Sequence, residues 1–279
     1  MRVIVTGGDG QLGRAFKNCI SKKNQIIALG SDICDVTDIN QIISVVKRYS
    51  PNVVIHCAAY TAVDKAETEV SLCRKINVTG TENIVNICRE ISIPIVFISS
   101  DYVFDGKGCK PYSVLDQRNA LNQYGQSKVD AENIVMEYDK HYIIRTSWLF
   151  GDGTNFVKTI STIGRTNGKV SVVDDQIGSP TYTEDLSKTI IDIINKKKFG
   201  VYHVTNEGYC SWADLAEETF ALQNINAEVI RISSMEYNSK AERPLNSRLS
   251  KESIDSIGIE RLPEWKESLK KYITKYLKD

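Results

Sequence analysis

A glycine-rich turn near the amino terminus constrains the fold of this chain more than any other feature. The apolar run Arg2–Val5 is typical of a buried strand, and it leads directly into Thr6-Gly7-Gly8-Asp9-Gly10-Gln11-Leu12-Gly13. Gly7, Gly10 and Gly13 recur every three residues, where a helical pattern begins. Such glycines permit a tight turn, close approach of the backbone to a pyrophosphate and close packing of helix on strand. The turn therefore predicts a βαβ unit that binds a dinucleotide at a helix amino terminus.

Strand-like and helix-like segments alternate through the first half of the sequence. Strands that alternate with helices form parallel sheets covered on both faces, so we expect an α/β fold, a doubly wound sheet of Rossmann type. The predicted strands are Val3–Thr6, Gln25–Leu29, Val53–Cys57, Ile95–Ser99 and Tyr142–Arg145. The predicted helices between them are Gln11–Ile20, Ile39–Tyr49, Val70–Glu90 and Tyr124–Tyr138.

After Phe150 the alternation becomes less regular. We predict that residues 1–150 form mainly the dinucleotide-binding domain, to which a strand at 200–205 returns. Residues 151–279 then form mainly a smaller α/β lobe for the substrate, with a cleft between the two. Loops are predicted at Asp152–Asn155, Thr166–Gly168 and Asp174–Thr183, the returning strand at Val201–Val204, and helices at Trp212–Leu222 and Glu264–Leu277.

Composition excludes several classes of protein. Lys plus Arg and Asp plus Glu both total 35, so the net charge is zero and nucleic acid is not expected as a partner. No apolar stretch approaches the roughly 20 residues needed to cross a bilayer. The seven cysteines form no C-x-x-C pair, which fits free thiols in a reducing compartment. We therefore expect a cytoplasmic protein without a membrane partner.

Tyr124 and Lys128 lie four residues apart at the start of a predicted helix, so both face the same side. A phenol has a pKa near 10, and a neighbouring ammonium that stabilises the phenolate lowers it. Lowering it by about three units takes roughly 4 kcal/mol. Alone, this pattern fits a surface pair equally well. Downstream of the glycine-rich turn, it predicts an oxidoreductase that uses a nicotinamide cofactor and Tyr124 as its acid.

A pair of serines ends the fourth predicted strand. A hydroxyl at the carboxyl end of a central strand faces the ligand crevice of an open α/β sheet. Ser100 is therefore predicted to bond the substrate carbonyl, whereas Ser99 is equally well explained as the cap of a turn.

Signals for the choice between NADPH and NADH conflict. An acid near the end of the second strand binds the ribose hydroxyls of NAD, while a nearby cation suits the 2′-phosphate of NADP. Asp32 is near that end, but Arg14 follows the last glycine and Lys22–Lys23 precede the strand. Asp35–Val36 and Ala58–Tyr60 are predicted as walls around the adenine and ribose. Both cofactors stay open.

Seven motifs in order resemble the extended short-chain dehydrogenase/reductase family, in its branch of nucleotide-sugar reductases. The resemblance spans nearly the whole chain, and its carboxyl-terminal motifs are the more specific ones. It implies reduction by NADPH or NADH of the C4 keto group of dTDP-4-dehydro-L-rhamnose, giving dTDP-L-rhamnose for cell-surface polysaccharide. The motifs are TGGDGQLG (6–13), CAAYTAVDKAE (57–67), SSDYVFDG (99–106), YGQSK (124–128), RTSWLFG (145–151), DDQIGSPTYTEDL (174–186) and RPLNSRL (243–249).

The resemblance also implies roles for individual residues. Ser100, Tyr124 and Lys128 match the family's catalytic Ser or Thr, Tyr and Lys. Ser100, Asp101, Trp148 and Arg243 form the implied substrate site, with Arg243 on the nucleotide diphosphate; core packing is the alternative for Trp148. The implied cofactor site comprises Gly7, Gly10, Gln11, Leu12, Gly13, Asp35, Val36, Ala58, Ala59, Tyr60, Tyr124 and Lys128.

Two positions depart from the family pattern. Ser100 stands where these reductases usually carry Thr, which keeps the hydroxyl. Ala15 stands where some members carry a Glu that ligates magnesium at a dimer interface, and a methyl group cannot coordinate a hard cation. We therefore predict no metal site, and a monomer or a metal-free homodimer whose mass and activity do not respond to EDTA.

Three alternatives remain. The first is a reductase of another nucleotide-linked 4-keto-6-deoxy sugar, and the second is an epimerase of such a sugar. The third is a non-enzymatic regulatory subunit with a Rossmann fold. Dehydration is disfavoured because the Asp-Glu pair it needs is absent: Asp101 is followed by Tyr102. A regulatory role is disfavoured because Ser100, Tyr124 and Lys128 are all present.

Overall fold

The computed structural model describes residues 1–19 and 24–277. Its strands are β1 (Arg2–Thr6), β2 (Gln25–Leu29), β3 (Val53–His56), β4 (Ile95–Ser100), β5 (His141–Thr146), β6 (Leu149–Phe150), β7 (Lys169–Val173), β8 (Ile177–Gly178), β9 (Thr181–Tyr182), β10 (Gly200–His203), β11 (Cys210–Ser211), β12 (Glu228–Ile232) and β13 (Asn246–Ser247). Its α-helices are α1 (Gln11–Lys17), α2 (Ile39–Tyr49), α3 (Val63–Ala66), α4 (Val70–Arg74), α5 (Gly80–Glu90), α6 (Gln123–Met136), α7 (Phe156–Asn167), α8 (Thr183–Lys196), α9 (Trp212–Leu222), α10 (Ser234–Tyr237), α11 (Glu252–Asp255) and α12 (Trp265–Tyr276).

The main sheet is parallel throughout and has the strand order β10-β5-β4-β3-β1-β2. The chain leaves β1 for β2 on one side and then returns past β1 to β3 on the other side. Strand order therefore reverses between β1 and β3, and a crevice opens there at the carboxyl ends of the strands. The doubly wound α/β fold that the sequence predicts is confirmed.

Both faces of this sheet are buried, as its uninterrupted apolar strands predict. Val3 and Val5 join an apolar cluster with Phe16 of α1 and Ile190 of α8 on one face. Ile4 points to the opposite face, into a cluster that α2 and α5 complete. Because successive strand residues alternate between faces, a two-sided core needs apolar residues at every position, and β1 supplies them.

The second half of the chain supplies both the last sheet strand and a set of smaller elements. β10 pairs with β5, so the chain crosses back to the main sheet. The parallel pair β7–β12 packs with α7 and α9 around Ile160, Val172 and Phe220. The division of the chain at residue 150 stays a prediction. Within the described residues, no helix is long and apolar enough to cross a membrane.

Several predicted boundaries are wrong, and each has a local cause. Thr166 and Asn167, predicted as loop, complete α7, because the left-handed residue that ends this helix is Gly168. The predicted helix Val70–Glu90 is helical throughout, but it contains a π-helical turn at Lys75–Thr79. The first predicted helix ends early, at Lys17, and Ile20 lies outside the described residues.

Candidate active site

A cleft of about 750 Å³ opens at the carboxyl edge of the main sheet, on the switch point between β1 and β3. Its volume falls within the range of roughly 300–1,000 Å³ that small-molecule sites occupy. The glycine-rich turn forms one part of its wall, and the ends of β4 and β5 form another. Trp148, Phe156 and Trp212 line it as well, and the last two come from the part of the chain after residue 150.

The glycines of the turn are required by contacts with neighbouring backbone. Gly7 has a left-handed φ of 65°, and a Cβ there would lie 2.7 Å from the Ala58 nitrogen. A Cβ at Gly13 would collide with the Gly7 carbonyl oxygen. These two glycines let α1 and the end of β3 approach β1 closely, and this close packing places the turn inside the cleft.

Gly10 differs from Gly7 and Gly13, because the surrounding backbone constrains it less. Its φ of −74° is open to any residue, and a Cβ there would meet, among the described atoms, the Gly7 carbonyl oxygen at 3.3 Å and nothing else within 4 Å. α1 starts directly after Gly10 without a side-chain cap. The first backbone N–H groups of this helix have no side-chain partner among the described residues, and the missing side chain of Gly10 leaves space beside them. Such groups can bind the pyrophosphate of a dinucleotide.

We expect Gly10→Val to weaken NADH binding by about 100-fold, or ~2.7 kcal/mol, because the side chain occupies the space for the pyrophosphate. Valine is also a poorer helix cap than glycine, so a loss of up to about 1 kcal/mol in unfolding free energy is expected. Fluorescence titration with NADH and urea unfolding measure the two effects. Wild-type affinity in the folded variant would contradict this placement of the cofactor.

Most of the predicted cofactor residues line the cleft. Tyr60 does not line it: its hydroxyl donates to Glu69 at 2.7 Å, and its backbone nitrogen donates to Asn77 Oδ1 at 2.7 Å. The side chain of Tyr60 is thus engaged outside the cleft, and a contact of Tyr60 with the cofactor stays a prediction. Those that do line the cleft are Gly7, Gly10, Gln11, Leu12, Gly13, Asp35, Val36, Ala58, Ala59, Tyr124 and Lys128.

The end of the cleft beside β2 is acidic. Asp9 and Asp35 line it, and Asp9 also lies 3.4 Å from Lys17 Nζ in an exposed pair. Arg14 points elsewhere, with its Nη1 3.7 Å from Asp152. Lys22 and Lys23 lie outside the described residues. Carboxylates at this position can bond the hydroxyls of a ribose, and the choice between NADH and NADPH stays a prediction.

Lys128 is buried beneath the cleft and held in one position. Its Nζ donates to the Ile98 carbonyl oxygen at 2.6 Å and lies 4.1 Å from the centroid of the Phe97 ring. Burial lowers the pKa of Lys128 to about 8, although Glu132, one turn further along α6, acts in the opposite direction. Lys128 is therefore mostly cationic at neutral pH, but it loses its proton far more readily than a surface lysine.

Tyr124 lies one turn before Lys128 on α6, whose amino terminus is capped by the Asn122 side chain. Burial raises the pKa of Tyr124, the Asp101 carboxylate raises it further, and a hydrogen bond with Ser100 lowers it. This direction is opposite to the one that the sequence predicts. The reason is that Lys128 directs its ammonium to the Ile98 carbonyl, whereas burial and Asp101 both disfavour a phenolate.

Ser100 and Asp101 form a bonded pair at the end of β4. The Ser100 hydroxyl donates to Asp101 Oδ1 at 2.8 Å and accepts from the Tyr102 nitrogen at 3.2 Å. Burial raises the pKa of Asp101 to about 6, although hydrogen bonds from Ser247 and Ser100 lower it. Ser100 therefore lies between a buried carboxylate and the phenol of Tyr124, in a position to share a proton with either.

Trp148 lines the opposite wall of the cleft in a strained backbone conformation. Its φ of 49° lies in the left-handed region, which is uncommon for a bulky residue and is one of the forms of backbone strain found at functional sites. Its ring stacks on Trp212 with 3.8 Å between centroids and 14° between planes. Trp212 is held in turn by a hydrogen bond of 3.2 Å from its Nε1 to Gln176. Sequence reasoning identified Trp148 but missed Trp212 and Phe156.

Two other predicted features are placed differently. Arg243 is not among the residues that line the cleft, because its guanidinium donates to Asp64. Ala15 is 3% exposed and packs inside the chain. Within residues 1–19 and 24–277, no cluster of three or more acidic, histidine or cysteine side chains could hold a metal ion. The absence of a metal and the oligomeric state stay predictions.

A switch-point cleft with a glycine-rich turn, and with Ser100, Tyr124 and Lys128 at the sheet edge, defines an NAD(P)H-dependent oxidoreductase of the extended short-chain type. The chain belongs to the family described as RmlD substrate binding domain, whose model matches residues 1–278. The family match includes all seven motifs, which lie between residues 6 and 249.

Known proteins similar to this chain agree with that class. The spore coat polysaccharide biosynthesis protein SpsK of Bacillus subtilis (strain 168) is 36% identical over 275 residues, which cover 98% of this chain and 96% of SpsK. A solved dTDP-4-dehydrorhamnose reductase from Clostridium acetobutylicum ATCC 824 superposes with a TM-score of 0.95 at 40% identity, covering 98% of this chain and 99% of that one. The same enzyme from Bacillus anthracis str. Ames, in complex with NADP, gives a TM-score of 0.95 at 38% identity, with 98% of each chain covered. The predicted enzyme class is confirmed.

Proposed function

We propose that this enzyme reduces the C4 keto group of dTDP-4-dehydro-L-rhamnose to the hydroxyl of dTDP-L-rhamnose, using NADPH or NADH. The observation that carries the proposal is the convergence of Ser100, Tyr124 and Lys128 on one cleft with the glycine-rich turn. Relatives whose names specify this reaction match the chain along nearly its full length. A role in cell-surface polysaccharide synthesis is supported by the similarity to SpsK.

The bound nicotinamide cofactor supplies the hydride, and the chain's own residues supply the proton and its control. Tyr124 donates its hydroxyl proton to the oxygen at C4 as that oxygen becomes an alkoxide. The single hydroxyl proton of Ser100, which points to Asp101 in the structure, can turn to donate to the same C4 oxygen and, after the transfer, to the phenolate that remains on Tyr124. Lys128, fixed by Ile98, provides a buried positive charge beneath the site. Trp148 and Trp212 provide an apolar wall that excludes water.

The pH dependence of kcat/KM should report Lys128 rather than Tyr124. The raised pKa keeps Tyr124 protonated, while Lys128 loses its charge around its pKa of about 8. We therefore expect kcat/KM to fall above about pH 8, and Lys128→Met to have low activity without this alkaline limb. Initial rates from pH 6 to 10 measure the profile. An alkaline limb at the same pH in Lys128→Met would assign it to another group.

The substrate is tested by measuring NADH and NADPH oxidation with a panel of dTDP-, UDP- and GDP-linked 4-keto sugars. We expect the highest kcat/KM with dTDP-4-dehydro-L-rhamnose, and NADH to serve at least as well as NADPH. Product analysis by NMR should show a new C4 hydroxyl. Higher kcat/KM with a UDP or GDP sugar, or epimerisation without net oxidation of the cofactor, would overturn the proposal.

The cellular location, the partners and the oligomeric state of the enzyme are part of the same proposal. Its seven cysteines are free thiols, which fits a reducing compartment, so we place it in the cytoplasm. Its expected partners are the dTDP-linked sugar and the cofactor, without nucleic acid or membrane. We expect a monomer or a metal-free homodimer, and light scattering with and without EDTA tests this expectation.

A further inference from the structure

An ion pair links the substrate half of the cleft to the carboxyl-terminal part of the chain. Asp64, on the short helix α3, accepts from Arg243 Nη1 at 3.1 Å and Nη2 at 2.6 Å. It also accepts from the Ala241 nitrogen at 3.1 Å. One carboxylate therefore fixes both the guanidinium and the backbone of the segment that carries it.

This pair lies directly behind the lining of the cleft. Val63, which precedes Asp64, lines the cleft, and so does Tyr102. The guanidinium of Arg243 lies close enough to Tyr102 to counter part of the rise that burial causes in the pKa of that phenol. The Tyr102 ring also packs edge-on against Tyr124, with 5.6 Å between centroids. The Arg243 side chain is 19% exposed and that of Asp64 is 44% exposed. Arg243 thus lies one side chain away from the catalytic phenol, at a partly solvated rim.

The charge of the lining does not suit the proposed substrate. The charged side chains among the described lining residues are Asp9, Asp35, Asp101 and Lys128. Lys128 is the cation among these described residues, and its ammonium already donates a hydrogen bond to the Ile98 carbonyl oxygen. A nucleotide sugar brings a diphosphate, and anions that leave water need charge-assisted partners. Arg243 lies beside the lining residue Tyr102, and its planar guanidinium can bind two phosphate oxygens as well as it binds two carboxylate oxygens.

We propose that Asp64 is a competing anion that holds Arg243 until the diphosphate of the substrate replaces it. This inference rests on the proposed function and deepens it. The exchange has a low net cost, because the diphosphate replaces one pair of charge-assisted bonds to the guanidinium with another, and the Asp64 carboxylate is already partly exposed to solvent. Asp64 keeps its bond to the Ala241 nitrogen, so the segment stays attached while the guanidinium moves. Asp64 therefore sets substrate affinity without contacting the substrate.

The test is calorimetric titration with free nucleoside diphosphate. Asp64→Asn keeps an oxygen for the Ala241 nitrogen but removes the charge that competes for Arg243. We expect it to bind dTDP about 2–5-fold more tightly than the wild type, which matches the worth of a partly exposed ion pair. Arg243→Gln should bind dTDP at least about tenfold more weakly, as expected when a charge-assisted bond to phosphate is lost. The double variant should match Arg243→Gln.

Glu67→Gln is the matched control, because Glu67 is the C-cap of the same helix and accepts from the Gln123 nitrogen rather than from an arginine. It should leave dTDP affinity unchanged, and NADH affinity should be the same in all variants. The proposal is overturned if Asp64→Asn weakens dTDP binding or leaves it unchanged. It is also overturned if Glu67→Gln tightens binding equally, or if the effect of Asp64→Asn persists without Arg243.

The same titrations separate this proposal from the proposed substrate. UDP and GDP are run alongside dTDP on every variant. If the wild type binds UDP or GDP but not dTDP, the assignment of the sugar nucleotide fails, and the exchange is judged with the nucleotide that binds. If none of the three binds, both proposals fail together.

Discussion

Tyr124→Phe should lower kcat by about 10²–10⁴-fold, the usual contribution of general acid catalysis. The substitution removes one hydroxyl and keeps the ring, which packs edge-on against Tyr102. Unfolding free energy and NADH affinity should therefore stay close to wild type. Single-turnover measurements with the preferred 4-keto sugar isolate the chemical step from product release.

Tyr102→Phe is the comparison that makes this result specific. Tyr102 also lines the cleft and packs against Tyr124, but the proposed proton transfer does not use its hydroxyl, which lies near Arg243. We expect it to change KM more than kcat. If Tyr124→Phe retained more than about half of the wild-type kcat, Tyr124 would not be the proton donor.

Glu132→Ala should produce the largest loss of stability, about 3–5 kcal/mol, because it breaks a buried ion pair from one side. Glu132 is fully buried on α6 and accepts from Arg145 Nε at 2.9 Å and Nη2 at 2.7 Å. Arg118 adds a third contact at 3.1 Å. Without the carboxylate, Arg145 keeps its charge while only 1% exposed. Burying an unpaired guanidinium is the main cost.

Asp130→Ala is the control for Glu132→Ala, since Asp130 belongs to the same helix and pairs with Arg74 at the surface. It should cost no more than about 1 kcal/mol. Urea unfolding of both variants gives the difference in free energy. A loss below about 1 kcal/mol in Glu132→Ala would mean that Arg145 finds another partner or reaches solvent.

The sequence predicted the main sheet and its glycine-rich turn because both depend on local patterns. Apolar runs of four to six residues identify strands wherever they lie, and β1 to β5 were located to within about one residue. The turn has its own signature, since Gly7 and Gly13 are dictated by contacts that no other residue permits. Residues carried by these elements, such as Ser100, could be assigned to the cleft for the same reason.

Residues brought to the cleft from the second half of the chain could not be found in this way. Trp212 starts a helix whose pattern was predicted correctly, but nothing local indicates that its ring meets Trp148. Arg243 was predicted to face the substrate, and its actual partner, Asp64, lies 179 residues away in sequence. The pKa of Tyr124 was predicted in the wrong direction because helix spacing reveals Lys128 but not burial or the carboxylate of Asp101.

The stacked indoles of Trp148 and Trp212 give the enzyme an intrinsic optical signal. Two parallel indoles 3.8 Å apart couple their electronic transitions, and the resulting circular dichroism depends on their separation and angle. The chain has three tryptophans, and the third, Trp265, is buried in the apolar cluster around α12. Because Trp148 follows the main sheet while Trp212 begins α9, any shift of one against the other changes the spectrum. A displacement of α9 against the segment that follows β5 can therefore be followed in the native protein without an attached dye.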